Sequence, residues 1–532
     1  MSKKPFRPCK NIISRFKRDK KANVGIIFGI VLVPIVIAMG SAVDYSRAFL
    51  KQKDLASAVD TAVLAGGIFS DETQAVFEDK VRKTLYANFP ESEIASLSFS
   101  RDDTTKTVTV TATSNVATSF AGIWNVDSLP IQATAEATPG RSYAEIVLVL
   151  DNTGSMRWSG KLDALKDAAK DLVQILNDSS PDTSKLFISL VPFTTTVRLS
   201  SDLLSWSGID FNGLSSVSGE DFEGNKNVMD LYSDMGIPWN GCIRARPSGN
   251  DLNDTPATSS DPETLYPVYL APDEPDGWFY NDGTFYSNNY YNSYRNRYIN
   301  DIYLQPSLPN GPERQRDTSK YSTGTVNLSG SRGPENNCPS QAILPLTTDK
   351  NALDDAIDDM EADGYTNIAT GLAWGWRMLT PEEPYTARPF DQETKKFIIL
   401  LSDGVQETGS ASSGPRHNET YYTAYGYAAK GHLGDVDGSE SVTVLNNKLK
   451  ILCEKAKGLV GDDPDAPDAV YDDTRAVKIF TITFQLNNST TQNLFRNCAT
   501  LPNMYYNSPD NATLQTTFQD IANELMKLSL TK

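Results

Sequence analysis

Three short segments of this chain carry oxygen-bearing side chains at spacings that suit a small, hard cation. The first is Asp151-Asn152-Thr153-Gly154-Ser155, an Asp-x-Thr-x-Ser run that sets one carboxylate and two hydroxyls at alternate positions. The second is Asp363-Gly364-Tyr365-Thr366-Asn367, which offers the Thr366 hydroxyl, with Thr370 as a rival. The third is Ser402-Asp403-Gly404, which offers Asp403. Hard divalent cations take oxygen ligands, and Mg²⁺ demands an octahedral shell. Two carboxylates and three neutral hydroxyls hold such an ion without saturating its charge or its shell. A carboxylate from a partner protein can then supply a missing ligand. The segments thus offer Asp151, Thr153, Ser155, either Thr366 or Thr370, and Asp403 as oxygen donors, for Mg²⁺ first and Mn²⁺ or Ca²⁺ as alternatives.

The neighbouring residues say what must position them. Ile146 to Leu150 is an aliphatic run with no polar alternation, the pattern of a strand buried on both faces. A helix follows from about Lys161 to Leu176, then a strand at Leu186–Val191. Helices at Asn351–Glu361 and Asn367–Met378 lead to a buried strand, Phe397–Leu401. A helix near Val442–Val460, a strand at Val477–Phe484 and a helix at Leu514–Leu528 complete the series. This alternation predicts an α/β doubly wound sheet, whose ligand crevice lies beyond the carboxyl ends of its strands. The three oxygen-bearing segments fall at such strand ends or at helix starts.

Two stretches break the alternation. One, at about 199–342, is rich in Asn, Asp, Gly, Pro, Ser and Tyr, and nine of the 23 tyrosines fall between Tyr266 and Tyr303. It is either a tyrosine-rich recognition surface or a poorly packed, disulfide-stapled insertion. The other, at 406–440, holds both histidines, His417 and His432.

The net charge of −18 hides a split: residues 1–21 carry nine Lys/Arg against Asp19, a net of +8, leaving −26 on the remainder. A body that acidic is not a nucleic-acid binder, since phosphate affinity needs clustered Lys and Arg. Ala22–Val43 contains no charged residue and is long enough to cross a bilayer. With no cleavage signal before Asp44, it reads as a retained anchor. The positive flank predicts a cytoplasmic N-terminus (1–21), a single-pass span (22–43) and an exported body. Gly25 and Gly29 form a GxxxG through which two copies could associate. Cys242, Cys338, Cys453 and Cys498 lie on the oxidising side, and sequence proximity favours Cys242–Cys338 and Cys453–Cys498 among three pairings. Beyond the span, Leu50, Leu55, Val59, Ala62, Val63 and Gly66 make a helical apolar stripe, the shape of a pilin stem. A helix at Asp71–Asn88 and strands at Ala95–Ser100, Lys106–Thr113 and Leu129–Ala137 complete a small α+β domain over 44–140, ending at Pro139-Gly140.

The three segments together resemble the metal-ion-dependent adhesion site of von Willebrand factor type A domains: Asp-x-Ser-x-Ser, then Thr, then Asp. The resemblance implies that Asp151, Thr153, Ser155, Thr366 and Asp403 take the metal-ligand positions, with Thr366 fitting the family pattern better than Thr370; the departure is Thr153 where the family usually has Ser, and the hydroxyl survives. The membrane end, with Asn23-Val24 entering the span and Val43-Asp44-Tyr45-Ser46-Arg47-Ala48 leaving it, resembles TadE/TadG-type tight-adherence (Flp) pilus assembly proteins. Asp60-Thr61-Ala62-Val63-Leu64-Ala65 and the closing Phe518-Gln519-Asp520-Ile521-Ala522 fit the same pattern. The combined resemblance implies a von Willebrand A domain over 143–532 carrying the two insertions, and a bacterial inner-membrane anchor with a periplasmic body serving pilus assembly or adhesion. It also implies docking of a protein partner through a metal-held carboxylate. The alternative function is a von Willebrand A scaffold or chaperone of the bacterial envelope unrelated to pili. An enzyme is not expected: there is no Gly-x-Ser-x-Gly, His-Glu-x-x-His or Walker-type loop, and Ser155 lies in an acidic loop with no evident base.

Overall fold

The computed structural model describes residues 23–67, 74–102, 107–137, 143–180, 182–279, 285–287, 295–301, 311–328, 332–391, 393–409, 417–434, 436 and 438–530. The basic tail 1–21 and the Pro139-Gly140 boundary lie outside them. The chain forms two compact units, Met1–Arg141 and Ser142–Lys532.

The first unit is built on α1, Asn23–Gly67, which runs unbroken through Pro34. Its stretch Ile27–Val63 is long and apolar enough to cross a membrane, and Ile27, Phe28, Ile30, Val31 and Val36 are exposed. Farther on, Leu55, Val59, Ala62 and Val63 are buried at helical spacing. They pack with Phe77, Val81 and Leu85 of α2 (Gln74–Asn88) and with Val108, Val110 and Ala112. The last three alternate along β2 (Thr107–Ala117), which pairs antiparallel with β1 (Ile94–Asp102) and β3 (Ser128–Ala137). Leu50, expected in the helical stripe, is instead exposed. Five residues before Leu55 it points roughly 140° away from that stripe.

The second unit holds a six-stranded sheet. Its strands are β4 (Tyr143–Asp151), β5 (Leu186–Phe193), β6 (Leu344–Thr347), β7 (Thr394–Ser402), β8 (Lys478–Phe484) and β9 (Tyr505–Ser508). Their spatial order, β6-β5-β4-β7-β8-β9, is third-second-first-fourth-fifth-sixth in sequence, the doubly wound arrangement that the strand–helix alternation predicts. All pairs are parallel except β6, which runs antiparallel to β5. β6 and β9 were not anticipated: each is four residues long at a sheet edge, so neither shows the apolar run of a central strand.

The aliphatic run of β4 faces two cores. Ile146, Leu148 and Leu150 pack with α3 (Lys161–Ser179), α4 (Lys350–Asp358) and α8 (Asn511–Leu530). Val147 and Val149 face α5 (Ile368–Arg377), α6 (Gly438–Ala456) and α7 (Ser489–Cys498). Every residue of α5 is buried, because the 199–342 insertion covers its outer side. Gly375 lets it press on the sheet, where a Cβ would lie 2.3 Å from Val149 Cγ2.

Where it is described, the insertion is packed, not loose. Leu231, Tyr232, Tyr266, Tyr298, Ile299 and Tyr321 are buried in the same cluster as Val147 and Val149. Disulfides join Cys242 to Cys338 and Cys453 to Cys498, the pairing that proximity favours. The second insertion closes on the first: His432 Nε2 lies 2.6 Å from Glu220 Oε1, and Tyr422 and Tyr427 are buried beside Tyr269. Burial pushes the His417 imidazole down to about 4, so it is neutral near pH 7.

Candidate functional site

β4 and β7 lie side by side with Leu150 opposite Leu401, so their carboxyl ends emerge together. This is where the strand order reverses, and where such sheets carry ligands. Asp151 is the last residue of β4, and Asp403 follows the last residue of β7. The second loop reaches the same point from the start of α5. It is held by backbone bonds to the first: Gly154 N–H donates to Gly364 O at 3.0 Å, and Asp363 N–H to Asn152 O at 3.0 Å. Gly364 has φ +73°, and a Cβ on it would lie 2.9 Å from Asn337 O, so only glycine fits this crossing. Asn367 caps α5, its side-chain oxygen accepting the Thr370 N–H at 3.1 Å.

All five candidate ligands meet. Thr366 Oγ1 donates to Thr153 Oγ1 at 3.2 Å, Thr153 Oγ1 lies 3.1 Å from Ser155 Oγ, and Ser155 Oγ donates to Asp403 Oδ1 at 2.6 Å. Asp151 Oδ1 accepts the Thr153 N–H at 2.9 Å. Asp151, Thr153, Thr366 and Asp403 are buried, and Ser155 is exposed at the mouth of the group. Thr366, not Thr370, is the hydroxyl that joins the group.

Three participants were not foreseen. Ser402 Oγ donates to Asp151 Oδ2. Lys161, the first residue of α3, places Nζ 2.7 Å from Asp403 Oδ2. The buried Asn152 side chain has hydrogen-bond partners on neither its oxygen nor its nitrogen. Ser402 was legible in the Ser-Asp-Gly run. Nothing in the sequence ties Lys161 to a residue 242 positions away.

The two carboxylates differ in their surroundings. Asp403 has the Lys161 ammonium. Asp151 has no cation among its contacts, and burial, then the charge of Asp403, push its carboxyl up to about 7, against the hydrogen bonds from Ser402 and Thr153. A buried carboxylate in this state is under-compensated, and the unpartnered Asn152 amide is a second deficit beside it. The donor set, two carboxylates and three hydroxyls with Ser155 open to solvent, fits a hard divalent cation. Among the described residues no group of three or more His, Cys, Asp or Glu that could hold a metal ion is found, here or elsewhere, so this site offers hydroxyls beside its two carboxylates.

Two clefts reach the second loop. One, of about 450 Å³, is lined by Arg157, Arg198, Glu335 and Asp363 among others. The other, of about 430 Å³, brings Arg295, Arg297 and Arg332 to Tyr365 and Tyr421. Those two rings stack at 4.5 Å, with the Arg295 guanidinium 5.1 Å from the Tyr421 ring.

The sequence profile of the Flp pilus-assembly TadE/G-like family matches residues 23–70. No curated protein matches the chain in sequence. Among solved structures, the chain is similar to the pilus adhesin SpaC of Lactobacillus rhamnosus GG, at 10% identity and TM-score 0.32, over 83% of this chain and 36% of that one. It thus spans about a third of that adhesin's length. The von Willebrand domain of the type V pilus tip protein Mfa5 from Porphyromonas gingivalis is similar at 10% identity and TM-score 0.30, over 74% of this chain and 97% of that one. The PilB minor pilin of Streptococcus sanguinis is similar at 12% identity and TM-score 0.33, over 82% and 78%. Scores this low say nothing of function.

Proposed function

We propose that this chain is a membrane-anchored component of tight-adherence pilus assembly or adhesion, with no enzymatic role, that docks a protein partner through a divalent cation. The observation that carries the reading is the convergence of Asp151, Thr153, Ser155, Thr366 and Asp403 from three loops onto the switch point of the sheet. Those residues would hold Mg²⁺, or Mn²⁺ or Ca²⁺, and the bound ion would supply a Lewis-acidic position for a partner's carboxylate. The adjacent Arg295–Arg297–Arg332 cleft brings positive charge into a body of net −26 and would draw an acidic partner surface to the same edge. The family match over residues 23–70 supports the pilus assignment, and the apolar helix supports an inner-membrane anchor with a cytoplasmic N-terminus and a periplasmic body.

The test is co-purification of cross-linked envelope partners with the full chain in Mg²⁺ and in EDTA. Asp151→Ala is expected to keep the fold and lose the Mg²⁺-dependent partner. A mutant that retained it, equally in EDTA, would refute the reading.

A further inference from the structure

The loop between β2 and β3 is locked onto α1 at one level of the helix. The Asp44 carboxylate accepts three consecutive backbone N–H groups, from Ser119 at 2.8 Å, Phe120 at 2.9 Å and Ala121 at 2.8 Å. Arg47 Nη1 donates to Ser119 Oγ at 2.7 Å. One turn earlier Phe120 lies against the helix backbone, where a Cβ on Gly40 would be 2.6 Å from Phe120 Cβ. The docked loop then turns its other apolar side chains outward. Ile123 is 72% exposed and Trp124 51%, with Phe120 and Val126 also exposed.

The level is the telling feature. The uncharged run Ala22–Val43 extends about 33 Å at 1.5 Å per residue, against a hydrocarbon core of about 30 Å. Asp44 is the first charge after it. The turn Gly40–Asp44 therefore falls at the interface where the chain leaves the bilayer, and the loop fastened to it lies at the same height. The loop suits that place. From Thr107 to Val126 it and its leading strand carry no charged residue. Its backbone is closed on itself, with Thr118 N–H on Asp127 O at 3.1 Å, Ile123 N–H on Phe120 O at 3.2 Å and Val126 N–H on Ala121 O at 3.3 Å. Trp at the headgroup level with aliphatic neighbours is the composition of an interfacial anchor. The Asp44 carboxylate, costly beside lipid, is shielded by the N–H groups it caps.

We propose that Phe120, Ile123, Trp124 and Val126 form a second membrane contact, inserted into the interface of the exit leaflet and fixing the small α+β unit against the lipid surface. This rests on α1 being the membrane anchor. The test uses the full chain, Cys9→Ser, in phosphatidylcholine–phosphatidylglycerol vesicles, with an environment-sensitive fluorophore on Ile123→Cys, on Ile30→Cys within the span, or on Ser98→Cys on the exposed face of β1. Lipids carry a quencher near the headgroup or deep in the chains. The expected result is quenching at position 123 by the shallow quencher, quenching at 30 by the deep one, and neither at 98. Adding Gly40→Leu, which evicts Phe120, should abolish quenching at 123 and spare it at 30. Quenching at 30 with position 123 as silent as 98 would overturn the proposal, as it would if the loop instead contacted a second copy. Silence at 30 as well would show that the anchor reading itself had failed.

Discussion

If a divalent cation belongs between Asp151 and Asp403, its removal should leave a measurable signature in stability against pH. The ordinary value for an aspartate is 3.8, and burial, then the charge of Asp403, push the Asp151 carboxyl up to about 7. Three units at 1.36 kcal/mol each set a ceiling of about 4 kcal/mol. The sign is fixed by proton counting. Between about pH 4 and 7 the folded carboxyl keeps a proton that the unfolded chain has lost, so stability falls as pH rises through that window. A cation binds the ionised pair, and at a hundredfold excess over its dissociation constant it restores about 2.7 kcal/mol, least at the acid end where protons compete. The assay is urea unfolding of the full chain in detergent, followed by near-ultraviolet dichroism, across this window in EDTA and in Mg²⁺. Asp273 and Asp301, pushed by burial to about 6, slope the curve in the same direction. The diagnostic is therefore the difference between wild type and Asp151→Asn. The mutant should show a flatter metal-free slope and no gain from Mg²⁺. Equal slopes, or equal stabilisation of both by Mg²⁺, would refute the reasoning.

Three further outcomes follow from single contacts. Lys161→Met removes the ammonium 2.7 Å from Asp403; metal-free stability should fall by up to about 3–5 kcal/mol while the stabilisation by Mg²⁺ grows, and an unchanged Mg²⁺ response would show that Lys161 does not compete at the site. At the opposite end of the same strands, Glu145 and Lys396 are a buried pair; Glu145→Ala should cost about 3–5 kcal/mol in urea unfolding and leave the Mg²⁺ response intact. Cys242→Ser with Cys338→Ser opens a closure of 96 residues and should cost up to about 4.7 kcal/mol. It should also weaken Mg²⁺ binding by calorimetry, because Asn337, next to Cys338, accepts the Thr194 hydroxyl at 2.5 Å and packs on Gly364.

How far the fold could be seen in advance tracks how each segment is buried. β4, β7 and β8 are covered on both faces, so their central residues are mostly aliphatic or aromatic and their composition betrays them. β6 and β9 have half-buried residues and pair on one side only, and Tyr505-Tyr506-Asn507-Ser508 reads as a turn until its neighbour is known. The 199–342 insertion misleads for another reason. Its Gly, Pro, Asn and Ser are those of a loop, yet among its described tyrosines Tyr232, Tyr269 and Tyr298 are buried with their hydroxyls on irregular backbone. Tyr232 donates to Tyr269 O at 2.8 Å, Tyr269 to Asn336 O at 2.9 Å and Tyr298 to Ala271 O at 3.0 Å. Tyrosine thus builds a core from a segment with few strands or helices, and no periodicity announces it.

The convergence of the candidate residues was visible because they are local in sequence within each loop and their order along the chain matches the order of strands. What stayed hidden is what makes the two carboxylates unequal. Asp403 is held by Lys161 and Ser155, so its charge is met within the fold. Asp151 is met only by neutral donors, Ser402 and Thr153, and sits beside an Asn152 amide with no partner. A scaffold that merely preserved an old loop shape would gain by placing a neutral residue at 151, since a buried carboxylate without a cation is a standing cost. Keeping the acid there, while neutralising its neighbour, is what a site requires if it must stay folded empty and still attract a cation. On the proposed reading, a bound cation would compensate chiefly the charge of Asp151, since Asp403 already has Lys161 beside it. Asp403→Asn should then weaken Mg²⁺ binding less than Asp151→Asn does.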